Sequence, residues 1–176
     1  DSDDVTYCAL DEATKAAAVE VVYGRSLYAG AANASTKLAG EVIGILAGPN
    51  PAEVQSGLRS CVDFMESGVG FRSANEDDSV IYFAHTVSRT GSYLSKTAGV
   101  KEGEALAYLI APPLEAVVGL DEAMKASDVE LVALFEPPSE TNFGGGLLTG
   151  TQSACNAAAS AFAEAVKAVA QRPREV

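Results

Sequence analysis

Apolar positions along the chain switch between a helical and a strand period. In Pro51–Glu66, the residues Val54, Leu58, Cys61, Val62 and Met65 fall three or four apart and mark one face of a helix. Asn50 is placed to cap that helix, Pro51 suits its first position, and Glu53 completes a capping box. Cys155, Ala159, Phe162, Val166 and Val169 repeat the spacing within Gln152–Ala170. Short alternating or β-branched runs predict strands at Ala18–Tyr23, Glu41–Ala47, Ser79–Thr86, Glu104–Ala111, Asp128–Phe135 and near Gly146–Gly150. Asp3–Ala16 and Pro113–Ala126 read as helices. The first has Ser2 and Asp3 as cap candidates, and the second is entered through Pro112-Pro113, where a missing N–H costs nothing. Gly24–Gly40 is a stretch of small and polar residues, long for a compact domain and therefore a functional candidate. Ser88–Gly99 predicts a loop with a short helix, and Pro137–Gly145 a loop whose glycines Gly144–Gly146 read as flexible backbone.

The pattern is stated twice. Asp11–Val22 reads DEATKAAAVEVV and Asp121–Val132 reads DEAMKASDVELV, with eight of twelve positions identical at one constant offset. Each string carries the end of a helix into a strand, followed by a glycine-bearing loop, an apolar strand and an amphipathic helix. The reading is a tandem repeat of α/β type (an α+β sandwich), two small sheets each flanked by helices. The division expected is residues 1–70 for the first domain and 71–176 for the second. In the second copy the helix is preceded by strand Glu104–Ala111, whereas the first copy opens directly on its helix. The alignment therefore predicts a segment before Asp1 that carries at least one strand.

Charge and composition remove several classes of function. The formal net charge is −12, with 24 acids against 12 bases, which argues against nucleic-acid binding. The apolar runs are too short to span a bilayer. Cys8, Cys61 and Cys155 are too few and too scattered for a disulfide framework or a zinc site, and two of them fall on apolar helix faces. With no secretory signal opening the chain, a reducing cytosol is expected.

Catalytic chemistry is not supported. His85 is alone and sits in an apolar strand, and there is no GxSxG turn, dinucleotide fingerprint or Walker loop. No catalytic residue, metal ligand or cofactor is expected. Paired carboxylates do occur, at Asp3-Asp4 and Asp77-Asp78, with Glu115 close to a helix start. Asp3-Asp4 suits either a helix N-terminus or, with Glu41, a small cation site where carboxylates compensate an ammonium leaving water.

The strings DSDDVTY, VVYGRSLYAGAA, AGPNPAE, VSRTGSYLSKTAG, APPLEA and PPSETNF closely resemble the ethanolamine-utilisation shell-protein family of bacterial microcompartments, over essentially all 176 residues. The resemblance implies two circularly permuted BMC domains and a homotrimer that mimics a hexagonal tile beside other shell proteins. It implies a cytoplasmic microcompartment shell as the location, and a gated pore for ethanolamine and for larger solutes such as a cobalamin-type cofactor. Asp3, Asp4, Glu41, Phe71, Thr141 and Phe143 would be the ethanolamine-binding set. The gating loop would include Ser26, Leu27, Tyr28, Ala29 and Gly30. A small-molecule-binding regulatory module without a conduit role is the alternative.

Overall fold

The computed structural model describes residues 2–27, 41–136 and 142–172. They form two compact units: Asp1–Val69 with Thr90–Gly103, and Gly70–Arg89 with Glu104–Val176. The change of unit at Gly70 lies beside the expected division. Thr90–Gly103, expected in the second half, packs instead with the first unit, because its backbone is bound by side chains of the first helix.

In the first unit, helix α1 (Asp3–Ala16) leads into strand β1 (Glu20–Leu27), which pairs antiparallel with β2 (Glu41–Ala47). Helix α2 (Pro51–Glu66) follows. Its Asn50 cap accepts from the Glu53 N–H at 3.0 Å, and the Glu53 carboxylate takes the Ala18 N–H at 2.7 Å. In the second unit, β3 (Arg72–Ser73) and β4 (Ile81–Val87) precede β5 (Ala105–Ala111), and α4 (Pro113–Ala126) runs into β6 (Val129–Phe135). Strand β7 (Gly144–Gly150) and helix α5 (Gln152–Ala170) complete a sheet in the order β3-β4-β5-β7-β6, antiparallel throughout. The short α3 (Ser92–Ala98) belongs to the first unit.

The repeat holds down to single hydrogen bonds. Both α1 and α4 end in an extended residue, Ala17 and Ser127, whose carbonyl accepts from Val19 and Val129 respectively. In each unit the strand that follows has a β-bulge at the same repeat position: the register shifts between Val21 and Tyr23 against β2, and between Leu131 and Ala133 against β7. A bulge turns the strand and raises its local twist, so one shared irregularity in two places marks one inherited unit.

The core of the second unit lies between its sheet and its helices. Ala105, Ala107, Leu109 and Ala111 of β5 face Ala116, Leu120 and Ala123 of α4 and Cys155, Ala158, Phe162 and Val166 of α5. Alanine on both layers allows close approach. Phe162 fills the space left by Gly119, where a Cβ would lie 2.6 Å from its ring. The first unit is thinner. Among the described residues its sheet has only β1 and β2, and Leu58, Val62 and Met65, the expected buried face of α2, are exposed. The reason is thinner support from the sheet: in the second unit α5 rests on β4, β5 and β7, whereas α2 packs mainly on α1 and only lightly on β2.

Among the described residues, the start of one expected loop and the end of another are strand. Gly24 pairs with Gly44 inside the ladder, and β1 runs on to Leu27, so Ser26 and Leu27 are strand residues and not part of a loop. Tyr28, Ala29 and Gly30 lie outside the described residues. Gly144–Gly146 begin β7 and are buried. Gly145, at φ +153°, passes so near β5 that a Cβ would meet the Leu109 carbonyl oxygen at 1.9 Å. These glycines serve close approach between strands, not flexibility.

Candidate functional site

The first turns of α1 and the open end of the β1–β2 ladder meet around Tyr7. Leu27 pairs with Glu41 at the end of the ladder and Ser26 with Val42. The Ser26 N–H donates to the Tyr7 hydroxyl at 3.0 Å, which ties the strand end to the helix. Burial raises the Tyr7 pKa to about 12, with the Asp3 carboxylate adding to the rise. Asp3, Tyr7 and Ser26 thus share one environment. Asp3 Oδ1 accepts from the Asp4 N–H at 3.0 Å, and Asp4 is buried.

The helix start itself is not capped in the expected way. Ser2 occupies the cap position without a side-chain bond to the helix; its carbonyl accepts from Thr6 Oγ1 at 2.6 Å and from the Thr6 N–H at 3.0 Å. The hydroxyls of Ser2 and Ser26 are both buried and have no hydrogen-bond partner. Orphaned buried hydroxyls are uncommon in folded proteins and call for a reason. Neither serine hydroxyl was expected to take part in binding from the sequence.

Of the expected ligand set, Asp3, Asp4 and Glu41 belong to the first unit, with Glu41 opening β2. Phe71 and Phe143 belong to the second unit, where their rings lie 5.7 Å apart, edge to face. Phe71 also lies 5.5 Å from Phe83, which leads into a row of aromatic rings on β4, β5 and β6: Phe83 to Tyr108 at 5.6 Å and Tyr108 to Phe135 at 6.0 Å. Thr141 lies outside the described residues. His85 is part of the same row, 5.7 Å from Phe83.

The cysteines are free. Burial drives the Cys8 thiol well above its ordinary pKa, followed by the carboxylates of Asp4 and Asp11, so it is held as an inert thiol. Cys61 Sγ donates to the Ala9 carbonyl at 3.1 Å, which makes it a contact between α2 and α1. Among the described residues no group of His, Cys, Asp and Glu is arranged to hold a metal ion, and no helix is long and apolar enough to cross a membrane.

A residue that carries much of the local architecture was not singled out from the sequence. Asp11 is fully buried, and its carboxylate accepts from the N–H groups of Gly91 at 2.7 Å and Leu94 at 2.8 Å. Thr14 Oγ1, one turn on, accepts from the Ser92 N–H at 3.1 Å, and Lys15 Nζ lies 3.6 Å from Asp11. Gly91 must be glycine here, since a Cβ would stand 2.2 Å from Thr14 Oγ1.

No protein-family model matches the chain. It is 73% identical over 173 residues to the bacterial microcompartment shell protein EutL of Clostridium perfringens, covering 98% of this chain and 80% of that protein. The crystal structure of the ethanolamine utilization protein EutL from Leptotrichia buccalis superposes with a TM-score of 0.93 at 71% identity, over 100% of this chain and 81% of that one. The trimeric bacterial microcompartment shell protein PduB shares the fold, with a TM-score of 0.79 at 22% identity over 98% of this chain and 75% of its own. A shell protein is a structural component rather than an enzyme, so the place of this chain is the microcompartment shell. With the repeat, the shared fold and the identity in agreement, the chain belongs to the EutL family of bacterial microcompartment shell proteins.

Proposed function

We propose that this chain is a tile of an ethanolamine-utilisation shell, assembled as a homotrimer of pseudo-sixfold shape, with a gated pore and an ethanolamine site at the first turn of α1. Relatives named EutL and the trimeric description of PduB support the assembly. The observation that carries the ligand reading is the pair of buried, unpartnered hydroxyls, Ser2 and Ser26, in the surroundings of Asp3, Asp4 and Tyr7. Ethanolamine brings one ammonium and one hydroxyl. Carboxylates suit the first, and an orphaned serine hydroxyl suits the second. Glu41 opens β2, and its part in the site, like those of Phe71, Thr141 and Phe143, follows from the family resemblance. The gate is proposed to begin beyond Leu27, with Ser26 and Leu27 as its anchored stem. Larger solutes of the cobalamin type would use the gated pore.

Each charge-assisted hydrogen bond to the ammonium contributes about 1.5–3 kcal/mol. The affinity is nonetheless weak, because the ligand has few atoms and a pore must release what it holds. Calorimetry with ethanolamine on the full-length protein tests the reading. Glu41→Gln keeps the side-chain shape, removes one charge and should weaken binding about tenfold. Equal affinity in both proteins would reject the acid cluster as the site, and binding by a protein that stays monomeric would favour a regulatory module without a conduit.

A further inference from the structure

The polar character of the α1 start is not shared by the other repeat. At the repeat offset, Ser2, Asp3, Asp4 and Tyr7 correspond to Pro112, Pro113, Leu114 and Val117 at the start of α4, and Ser26 corresponds to Glu136. The second copy builds the same helix and the same bulged strand without any of the five. The fold common to the two copies therefore does not require them. Ser26 differs most in setting: it is 3% exposed, whereas Glu136 is exposed just beyond β6.

The backbone of Ser26 is held from two sides. Its N–H donates to the Tyr7 hydroxyl at 3.0 Å, and its pairing with Val42 places it next to the Leu27–Glu41 pair that ends the ladder. Side chains on a helix lean toward its N-terminus, and the carboxylates of Asp3 and Asp4 both act on the Tyr7 hydroxyl. The Ser26 hydroxyl is thus fixed beside the acids, buried and without a hydrogen-bond partner. An unpaired buried hydroxyl is unfavourable, so a residue that the shared fold can do without points to something bound that satisfies it.

We propose that Ser26 is the specificity-determining residue of the site at the start of α1: its hydroxyl bonds the hydroxyl of the ligand, so the site takes short primary amines that carry a hydroxyl group and rejects plain alkylamines of the same size. The inference rests on the ligand reading above and divides the work within it. Carboxylates attract any small ammonium alike, because a charge at one end of the ligand does not sense what the other end carries. The acids and Ser2 all come from the helix start, whereas Ser26 comes from the strand, so a two-ended ligand is met from two elements. An alkylamine would leave the Ser26 hydroxyl buried and unpaired, and that penalty is the source of the discrimination.

Calorimetry on the full-length protein, comparing ethanolamine with n-propylamine, tests the proposal, since the second ligand puts a methyl group where the first has its hydroxyl. The unmutated protein should bind ethanolamine at least about tenfold more tightly. Ser26→Ala should weaken ethanolamine binding several-fold and leave propylamine binding unchanged or stronger, which shrinks the ratio to about twofold or less. A purely structural role would lower both affinities together and leave their ratio unchanged. Equal affinity of the unmutated protein for the two amines, or an unchanged ratio in Ser26→Ala, would overturn the role of Ser26 and leave the acid site standing. An unmutated protein that binds neither amine would overturn the acid site and the role of Ser26 with it.

Discussion

Asp11 and Asp121 stand at the same position of the two repeats, yet Asp11 lies fully buried beneath the N–H groups of Gly91 and Leu94 while Asp121 stays exposed beside Lys125. Identical local sequence has been put to two uses, and the difference is set by what lies on top of each helix. Asp11→Ala would orphan two buried N–H groups. It should cost about 3 kcal/mol or more of stability, since hydrogen bonds to a charged group each contribute about 1.5–3 kcal/mol. Asp121→Ala, measured in the unassembled chain, should change stability by no more than about 0.5 kcal/mol. Denaturant midpoints of the two variants decide the matter, and equal losses would contradict it.

Gly145 has a backbone conformation and a neighbour that both exclude a side chain. Gly145→Ala should lower stability by at least about 2 kcal/mol or prevent folding. Gly70, where an added Cβ would meet nothing within 4 Å, is the matched control, and Gly70→Ala should be nearly neutral. Similar unfolding curves for the two variants would mean that β5 and β7 can separate at no cost.

Tyr7 makes stability depend on alkaline pH. Its folded pKa, raised to about 12 chiefly by burial, exceeds the ordinary value of 10.0, so the folded state holds the phenol proton more tightly than the unfolded chain. That contribution is fully present below pH 10 and is lost as pH rises from about 10 to about 12. Tyr93 shifts the same way, also through burial. Unfolding curves collected across this range should show falling stability, with a shallower fall in Tyr7→Phe. A stability that does not change over the interval would contradict the assignment.

Ser26 separates binding from folding. Its hydroxyl is buried without a hydrogen-bond partner, so Ser26→Ala should leave stability unchanged or raise it by up to about 1 kcal/mol. The same substitution should weaken ethanolamine binding several-fold. Loss of stability without loss of affinity would show that the hydroxyl serves the fold.

Much of the architecture is legible in the sequence, because the helices and strands obey local rules. The Asn50 cap, the proline at the start of α2 and the DEA-x-KA repeat are contained within a dozen residues, and they appear in the structure where the pattern puts them. The failures are non-local. Gly24 and Gly144–Gly146 look like loop residues because glycine weakens a strand on its own; they are strand residues because Tyr93, Leu109 and Ala133 come so near. The burial of Asp11 is invisible for the same reason, since its partners lie some eighty positions away and the identical DEA string at Asp121 is solvent-exposed. Asp3 and Asp4 could be picked out as paired acids, whereas the orphaned hydroxyls of Ser2 and Ser26 emerge only when the helix start and the strand end are packed together. The bulge shared by β1 and β6 likewise leaves no mark in composition.

Electron microscopy of the concentrated full-length protein tests the central claim most directly. A shell tile built from two such repeats should appear as three-fold particles of hexagonal outline that pack edge to edge into two-dimensional sheets. Particles that remain monomeric at concentrations well above the micromolar range, with no sheets, would contradict the claim.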